Sequence, residues 1–227
     1  VSALLKAVIA ITSVCVVLAL SLTAYESWDR LKTAQRISQI ADASADLFKA
    51  MHNLRTDRST TNRLLNATEP MDAEIEKYLR GIRDAEMPAM AHALELLPAM
   101  DFPQSGTMVP ELARLHKQLT EQQKQFWEDV AKPKDQRRAG LPKAYMETTQ
   151  GLLDTLDKLS NALAATVNHQ DAAIDQLLSI KQNAWLLRNT GGEASLVVST
   201  GLNAGRVTPE ARLAYTQYVG GTAAMWK

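Results

Sequence analysis

LRTDRSTTNRLL (Leu54–Leu65) lies inside a helical pattern and departs from it. Ile37, Ser44, Met51, Arg58 and Leu65 share one heptad position, and Ile40, Leu47, Leu54 and Thr61 share the other. A seam of this kind faces partner helices, with each side chain seated among residues of its neighbours. Arg58 and Thr61 therefore fall where apolar residues belong. A guanidinium there has to be paired or to hold an anion, because burying it without a partner is costly. The stretch predicts helices packed on helices, with one polar layer set into the seam.

The rest of the chain extends that reading. Ala, Leu, Gln, Glu, Lys and Arg dominate, glycine is sparse and only 5% of residues are aromatic, the composition of long helices. The 25 basic and 25 acidic residues cancel, and no basic patch is interleaved with aromatics, so a general nucleic-acid binder is excluded. No strand pattern of any length occurs.

AVIAITSVCVVLALSLTAY (Ala7–Tyr25) carries no charge. As a helix it spans roughly 28 Å, close to the hydrocarbon core of a bilayer. A transmembrane helix over residues 3–25 is expected, with Lys6 snorkelling at one end. A cleaved signal peptide ending at Ala19-Leu20-Ser21 is the competing reading; the run exceeds a typical signal core, which favours an anchor. Lys6 on one side and Arg30, Lys32 and Arg36 on the other leave the orientation open. The single cysteine, Cys15, lies in this run and allows no internal disulfide.

Helix breaks divide the remainder of the chain. The first helix is expected to leave the membrane segment without a stop and to end near Ala67, at Thr68-Glu69-Pro70. A second helix is expected over Met71–Met100, kinked or ended by Pro88 and Pro98. Asp101–Pro110 reads as a loop, Glu111–Ala131 as a third helix and Lys132–Pro142 as a polar connection. No further proline occurs until Pro209, which predicts one helix reaching Ala204, roughly 90 Å long and too long for a single compact bundle. Its heptads run through Leu156, Leu163, Gln170 and Leu177, and through Leu159, Thr166, Ala173, Ile180 and Leu187. Asn203-Ala204-Gly205 ends it with a C-cap, and Thr208-Pro209-Glu210 starts the next helix. The sequence stops at Lys227 inside a helical pattern, as a piece of a longer protein would.

Leu54-Arg55 is echoed by Leu187-Arg188, and Asn62–Leu65 lines up with Ser195–Val198. The offset, from 54 to 187, is a whole number of heptads, and after each segment comes a break containing Thr and Pro. Register, motif and break together point to a repeat.

A transmembrane helix leading into repeated Leu-Arg segments and a long helix resembles the all-helical extracytoplasmic sensor region of bacterial methyl-accepting chemotaxis receptors. Within that class it is similar to the nitrate/nitrite-sensing and helical bimodular domains. Asp57-Arg58-Ser59 stands where the first module of that family has Glu-Arg-Gly, and Trp185–Gly192 resembles the second-module helix. The resemblance implies elongated, stacked antiparallel four-helix bundles sharing long helices. The sensor region would cover residues 26–227, with a first module over about 45–150 and a second over about 151–227. It further implies a periplasmic sensor anchored in the bacterial inner membrane, a homodimer, and a ligand signal carried across the membrane by helix displacement. A sensor histidine kinase or diguanylate cyclase input, and a membrane-anchored helical scaffold without ligand, are the alternatives.

The candidate ligand-binding residues are Arg55, Arg58, Thr61, Asn62 and Arg188. Planar guanidinium groups suit nitrate or a carboxylate, and Thr60, Thr61 and Asn62 add donors within one turn. The competing reading is a structural ion pair, with Asp57, Asp46, Glu74 or Glu76 as partner. Arg63 falls off the seam and should be solvated. Gly191-Gly192 interrupt a helix at a cost of roughly 1 kcal/mol each against alanine, so they need a reason, close packing or a pocket beside Arg188. Trp185 and Trp226 read as core anchors. His52, His92, His116 and His169 have no metal-ligand spacing, no catalytic motif occurs, and neither metal, cofactor nor enzymatic activity is expected.

Overall fold

The computed structural model describes residues 2–168 and 172–226, and the backbone alone at residue 203. It is all-helical, with no strand among the described residues. The helices are α1 (Ser2–Asn66), α2 (Ala73–Leu96), α3 (Ser105–Val130), α4 (Leu141–Ala165), α5 (Ala172–Ala204) and α6 (Pro209–Met225). Short 3-10 turns come after α2 (Leu97–Ala99) and α3 (Lys134–Gln136). The chain divides into two units, Val1–Asp42 and Ala43–Lys227, so the expected modules 45–150 and 151–227 fall within one of them.

The first unit carries the apolar part of α1. Its 18-residue window of mean hydropathy 2.5 is 0% buried, and residues 2–32 are exposed throughout. By length and composition this segment is able to cross a membrane.

The second unit is organised by apolar faces of four helices. Leu64 and Leu65 of α1, Leu79 of α2, Phe126 and Val130 of α3, and Leu141 of α4 form one buried cluster. Each fully buried Leu or Phe contributes roughly 1.5–3 kcal/mol over an exposed one. Arg137 closes the end of this cluster. Its guanidinium donates to the carbonyls of Leu64 (2.9 Å), Leu65 (3.2 Å) and Ala67 (2.8 Å) at the C-terminal end of α1, where helical N–H donors run out, and its Nε donates to Lys132 O at 3.0 Å. Fully buried Asp129 fixes the same connection by accepting from the Arg138 backbone N–H at 2.8 Å and from Lys132 Nζ at 2.8 Å.

Several boundaries differ from the sequence expectation. Helix α2 begins at Ala73 rather than Met71, with Asp72 as its N-cap, whose carboxylate accepts from Glu74 N at 2.8 Å. Pro88 lies inside α2 and Pro110 inside α3 without ending either. Each proline is exposed, as is the residue four back (Asp84, Gly106), so the freed carbonyls can bond water. Helix α3 thus begins at Ser105, not Glu111, after Gln104 turns the chain at φ 64°. Pro98 does end α2, in the 3-10 turn.

The single long helix is overturned. Helix α4 stops at Ala165, and residues 166–168 form a turn in which Thr166 N bonds Leu163 O (3.1 Å) and Val167 N bonds Ala164 O (3.2 Å). Thr166 Oγ1 also donates to Leu163 O at 2.7 Å, and fully buried Val167 pins the turn against the core. Local side-chain bonding of this kind competes with helix continuation. His169 and the heptad position of Gln170 lie outside the described residues, as does Lys227.

Helices α5 and α6 form a hairpin that ends as its sequence predicts. Gly205 adopts φ 64°, Gly205 N bonds Leu202 O (3.2 Å) and Arg206 N bonds Gly201 O (3.1 Å), the Schellman pattern. Thr208 then caps α6 by accepting from Ala211 N at 3.2 Å, with Pro209 in the first turn. Trp185 is buried, edge-on to Phe48 at 6.4 Å, but Trp226 is 79% exposed and anchors no core.

Candidate functional site

Two polar layers occupy the stretch that interrupts the seam. The inner layer is a buried network centred on Asp57, in which Arg83 Nη1 finds no hydrogen-bond partner among the described residues. Asp57 accepts from Arg83 Nε at 3.0 Å, from Thr61 Oγ1 at 2.9 Å and, through its second oxygen, from the Tyr145 hydroxyl. Arg83 Nη2 also donates to Thr61 Oγ1 (2.8 Å) and to the Tyr145 oxygen (3.3 Å). The Arg83 guanidinium stacks over Phe126, 4.4 Å from its centroid. Glu86 sits one turn along α2, fully buried, and accepts from Gln123 Nε2 at 2.8 Å. Burial and the neighbouring Asp57 charge push the Glu86 carboxyl well above the ordinary carboxylate range. The same two causes raise Tyr145 well above an ordinary phenol. Thr61, expected at a ligand site, belongs to this inner network.

The outer layer is built on arginines. A cavity of about 630 Å³ is lined by Arg55, Arg58 and Arg63 of α1 and Arg188 of α5. Donors surround them: Ser59, Thr60 and Asn62 from α1, and Ser195, Ser199 and Thr200 from α5, with Tyr78 at the edge. Among the described residues, no carboxylate lines it. Of the five candidates, Arg55, Arg58, Asn62 and Arg188 are thus brought to one cavity. Arg188, placed on a second module by the repeat, faces the same space as Arg55. Arg63 is exposed, as its off-seam position predicts.

Burial makes these cations demanding. Arg55 is 6% exposed and Arg58 8%. Arg55 Nη1 donates to Asn189 Oδ1 (2.6 Å) and Nη2 to Glu193 Oε1 (3.0 Å). Arg58 Nη1 donates to Gln150 Oε1 (2.6 Å) and, at 3.4 Å, to the same Glu193 oxygen. Arg188 Nη2 donates to Thr56 Oγ1 at 3.3 Å. The Nε atoms of Arg55 and Arg58 are buried and find no hydrogen-bond partner among the described residues. Burial holds the Arg58 guanidinium below its ordinary value, opposed by Glu193 and assisted by repulsion from Arg55. Burial and then Arg55 do the same to Arg188. All remain cations, since arginine does not deprotonate in proteins. Arg55 and Arg58 therefore share one carboxylate oxygen, Arg188 is crowded by Arg55, and an added anion relieves both the repulsion and the unmet donors.

The ion-pair expectation named the wrong acids. Asp57 serves Arg83, Asp46 meets His92 at 2.6 Å and Glu76 meets Arg80 on its own helix at 2.6 Å. Arg58 instead meets Glu193 and Gln150, neither of which local spacing nominates.

Gly192 has its reason here. A Cβ at that position would strike the Arg55 side chain, 2.7 Å from Nη2 and 2.8 Å from Cζ, whereas a Cβ at Gly191 meets nothing within 4 Å. Gly191→Ala should therefore stabilise the fold by about 0.5–1 kcal/mol. Gly192→Ala should lose that gain, because Arg55 must leave Asn189 and Glu193. Thermal melts followed by circular dichroism compare the two; equal stabilisation by both contradicts the contact.

No family model, curated protein or solved structure matches this chain. Among the described residues no group of three His, Cys, Asp or Glu comes together as metal ligands.

Proposed function

We propose that the chain is the ligand-sensing input region of a bacterial transmembrane receptor, and that a small anion binds in the arginine cavity. The observation that carries this reading is the chemistry of that cavity. Among the described residues four arginines line it, no acid does, and two buried guanidine Nε atoms are without acceptors. A purely structural cluster would be expected to balance its charges. Arg55 and Arg58 lie on the same helix as the membrane-length apolar segment, which is what a sensor requires if binding is to shift that helix.

In this reading the chain is anchored in the inner membrane with residues 26–227 in the periplasm. The helices complete stacked four-helix bundles as a homodimer. Exposed apolar side chains on α5 and α6, among them Ile180, Leu213 and Tyr215, are available to a second copy. Ligand binding favours one of two helix packings, and the output differs according to whether a chemotaxis, kinase or cyclase module is attached.

The test is a thermal-shift screen of the full chain in nanodiscs, in chloride-free buffer, against nitrate, sulfate, phosphate and organic acids. At least one anion should raise the melting temperature. Arg188→Ala and Arg58→Ala should each weaken that anion by about tenfold to a hundredfold, the range for hydrogen bonds to charged groups. Among the described residues Arg188 makes a single long hydrogen bond, to Thr56, so its loss should leave the unliganded fold intact. A screen without any shift, or shifts unchanged in both variants, sinks the assignment.

A further inference from the structure

The site already contains one anion, and it belongs to the protein. Glu193 of α5 offers a single oxygen, Oε1, to Arg55 Nη2 at 3.0 Å and to Arg58 Nη1 at 3.4 Å. Neither contact is the bidentate fork that makes an arginine–carboxylate pair strong, and the second is long for a hydrogen bond. Glu193 is not among the cavity's lining residues. It reaches the two arginines from beside Gly192, across whose backbone the Arg55 guanidinium lies.

This arrangement leaves the pair under-satisfied and easily exchanged. An oxyanion in the cavity presents two or more oxygens and can take the same donors with better geometry. Buried Nε atoms on both arginines remain to be filled, which the monodentate Glu193 does not do. The carboxylate also has somewhere to go. Its side chain is 21% exposed, so a rotamer change returns it to water at little desolvation cost.

We propose that Glu193 is an internal competitor for the anion site: its carboxylate neutralises Arg55 and Arg58 in the unliganded protein and leaves them when ligand binds. This rests on the anion-site reading above. Glu193 then has two effects. It raises the ligand concentration needed for occupancy, because each binding event must break the contacts it makes. It also ties α5 to α1 only in the unliganded state, so that displacement changes the contact between the helix bearing Arg188 and the helix bearing Arg58. A ligand that binds the two arrangements unequally shifts the balance between them.

Glu193→Gln keeps the shape and removes the charge, and Glu193→Ala removes the side chain. The measurement is isothermal calorimetry of the full chain in nanodiscs, titrated with sulfate in chloride-free buffer, alongside thermal melts without sulfate. The expected result is sulfate bound at least tenfold more tightly by Glu193→Gln than by the parent, with a lower melting temperature before sulfate is added. Should Glu193→Gln fail to fold, the Ala variant carries the same expectation. Equal affinity in parent and variant overturns the competitor role while leaving the anion site standing. Weaker binding in both variants also overturns it, and makes Glu193 a residue that positions the arginines. Loss of sulfate binding in every protein, parent included, overturns the proposal together with sulfate as a ligand of the site; the Arg188→Ala comparison across the wider anion screen then decides whether the site itself survives.

Discussion

Arg83→Met is expected to lower the stability of the second unit by about 3–5 kcal/mol, the usual penalty for removing one partner of a buried ion pair. Asp57 is 0% exposed and Arg83 6%. Without the guanidinium, the Asp57 carboxylate keeps the hydroxyls of Thr61 and Tyr145 and the neighbouring Glu86 carboxyl but no cation, and Glu86 loses the Arg83 charge that opposes its repulsion by Asp57. Methionine fills much of the volume and rests on Phe126, so packing loss is small and the effect reports the charge. For a unit of this size the melting temperature should fall by about 6–20 °C. Arg80→Met is the matched control. Arg80 lies on the same helix, pairs with Glu76 and covers Trp127, 4.1 Å from its centroid, but its side chain is 55% exposed. Its loss should cost about 1 kcal/mol or less. Urea denaturation of both variants decides the matter: a difference under 1 kcal/mol between them means that water reaches Asp57 and the network is not sealed.

The inner network also marks how far the sequence can be read. A polar layer at Arg58 and Thr61 is legible because both interrupt an apolar row. Arg83 and Glu86 interrupt a row in the same way, since buried positions on α2 run Leu79, Ile82, Arg83, Glu86, Ala89, Met90 and Ala93 at helical spacing. Those two interruptions are present in the sequence, but heptads followed only through the longest helices pass over them. Asp57 is harder. It lies one step off the two-position seam, and only a helix buried by several neighbours covers that wider face. Glu193 and Gln150 carry no local signal, because the register between α1, α4 and α5 is a tertiary property. Pattern reasoning treats Pro88 as a kink or stop and places Pro110 in a loop, although both face water and are tolerated inside their helices. It then treats the absence of proline as continuity, although a Thr-Val-Asn turn ends α4 without one. The α5–α6 connection is legible because Gly205 and Thr208-Pro209 make that turn with local hydrogen bonds alone.

Glu86→Gln is expected to stabilise the protein increasingly as pH rises. In the folded state Glu86 faces Asp57 of α1, Arg83 of its own helix, Gln123 of α3 and Tyr145 of α4, and its carboxyl is held well above 4.5, the ordinary value, by burial and by the Asp57 charge. Folding therefore requires a proton on Glu86 that the unfolded chain gives up near 4.5. Between that pH and the raised folded value the folded state binds more protons than the unfolded one, so stability falls with rising pH, by up to about 1.4 kcal/mol per unit. The stabilisation from a neutral Glu86 is fully present below 4.5 and is lost as pH rises through the folded value. Glutamine is neutral at every pH, preserves the acceptor for Gln123 and supplies an amide donor beside the Asp57 carboxylate. The stability curves of the two proteins should thus run close together near pH 4.5 and separate steadily above it, with the glutamine variant the more stable. Chemical denaturation at pH 4.5, 6.0 and 7.5 measures this directly. Parallel curves would mean that Glu86 folds as a carboxylate, with Arg83 shared between two charges rather than committed to Asp57.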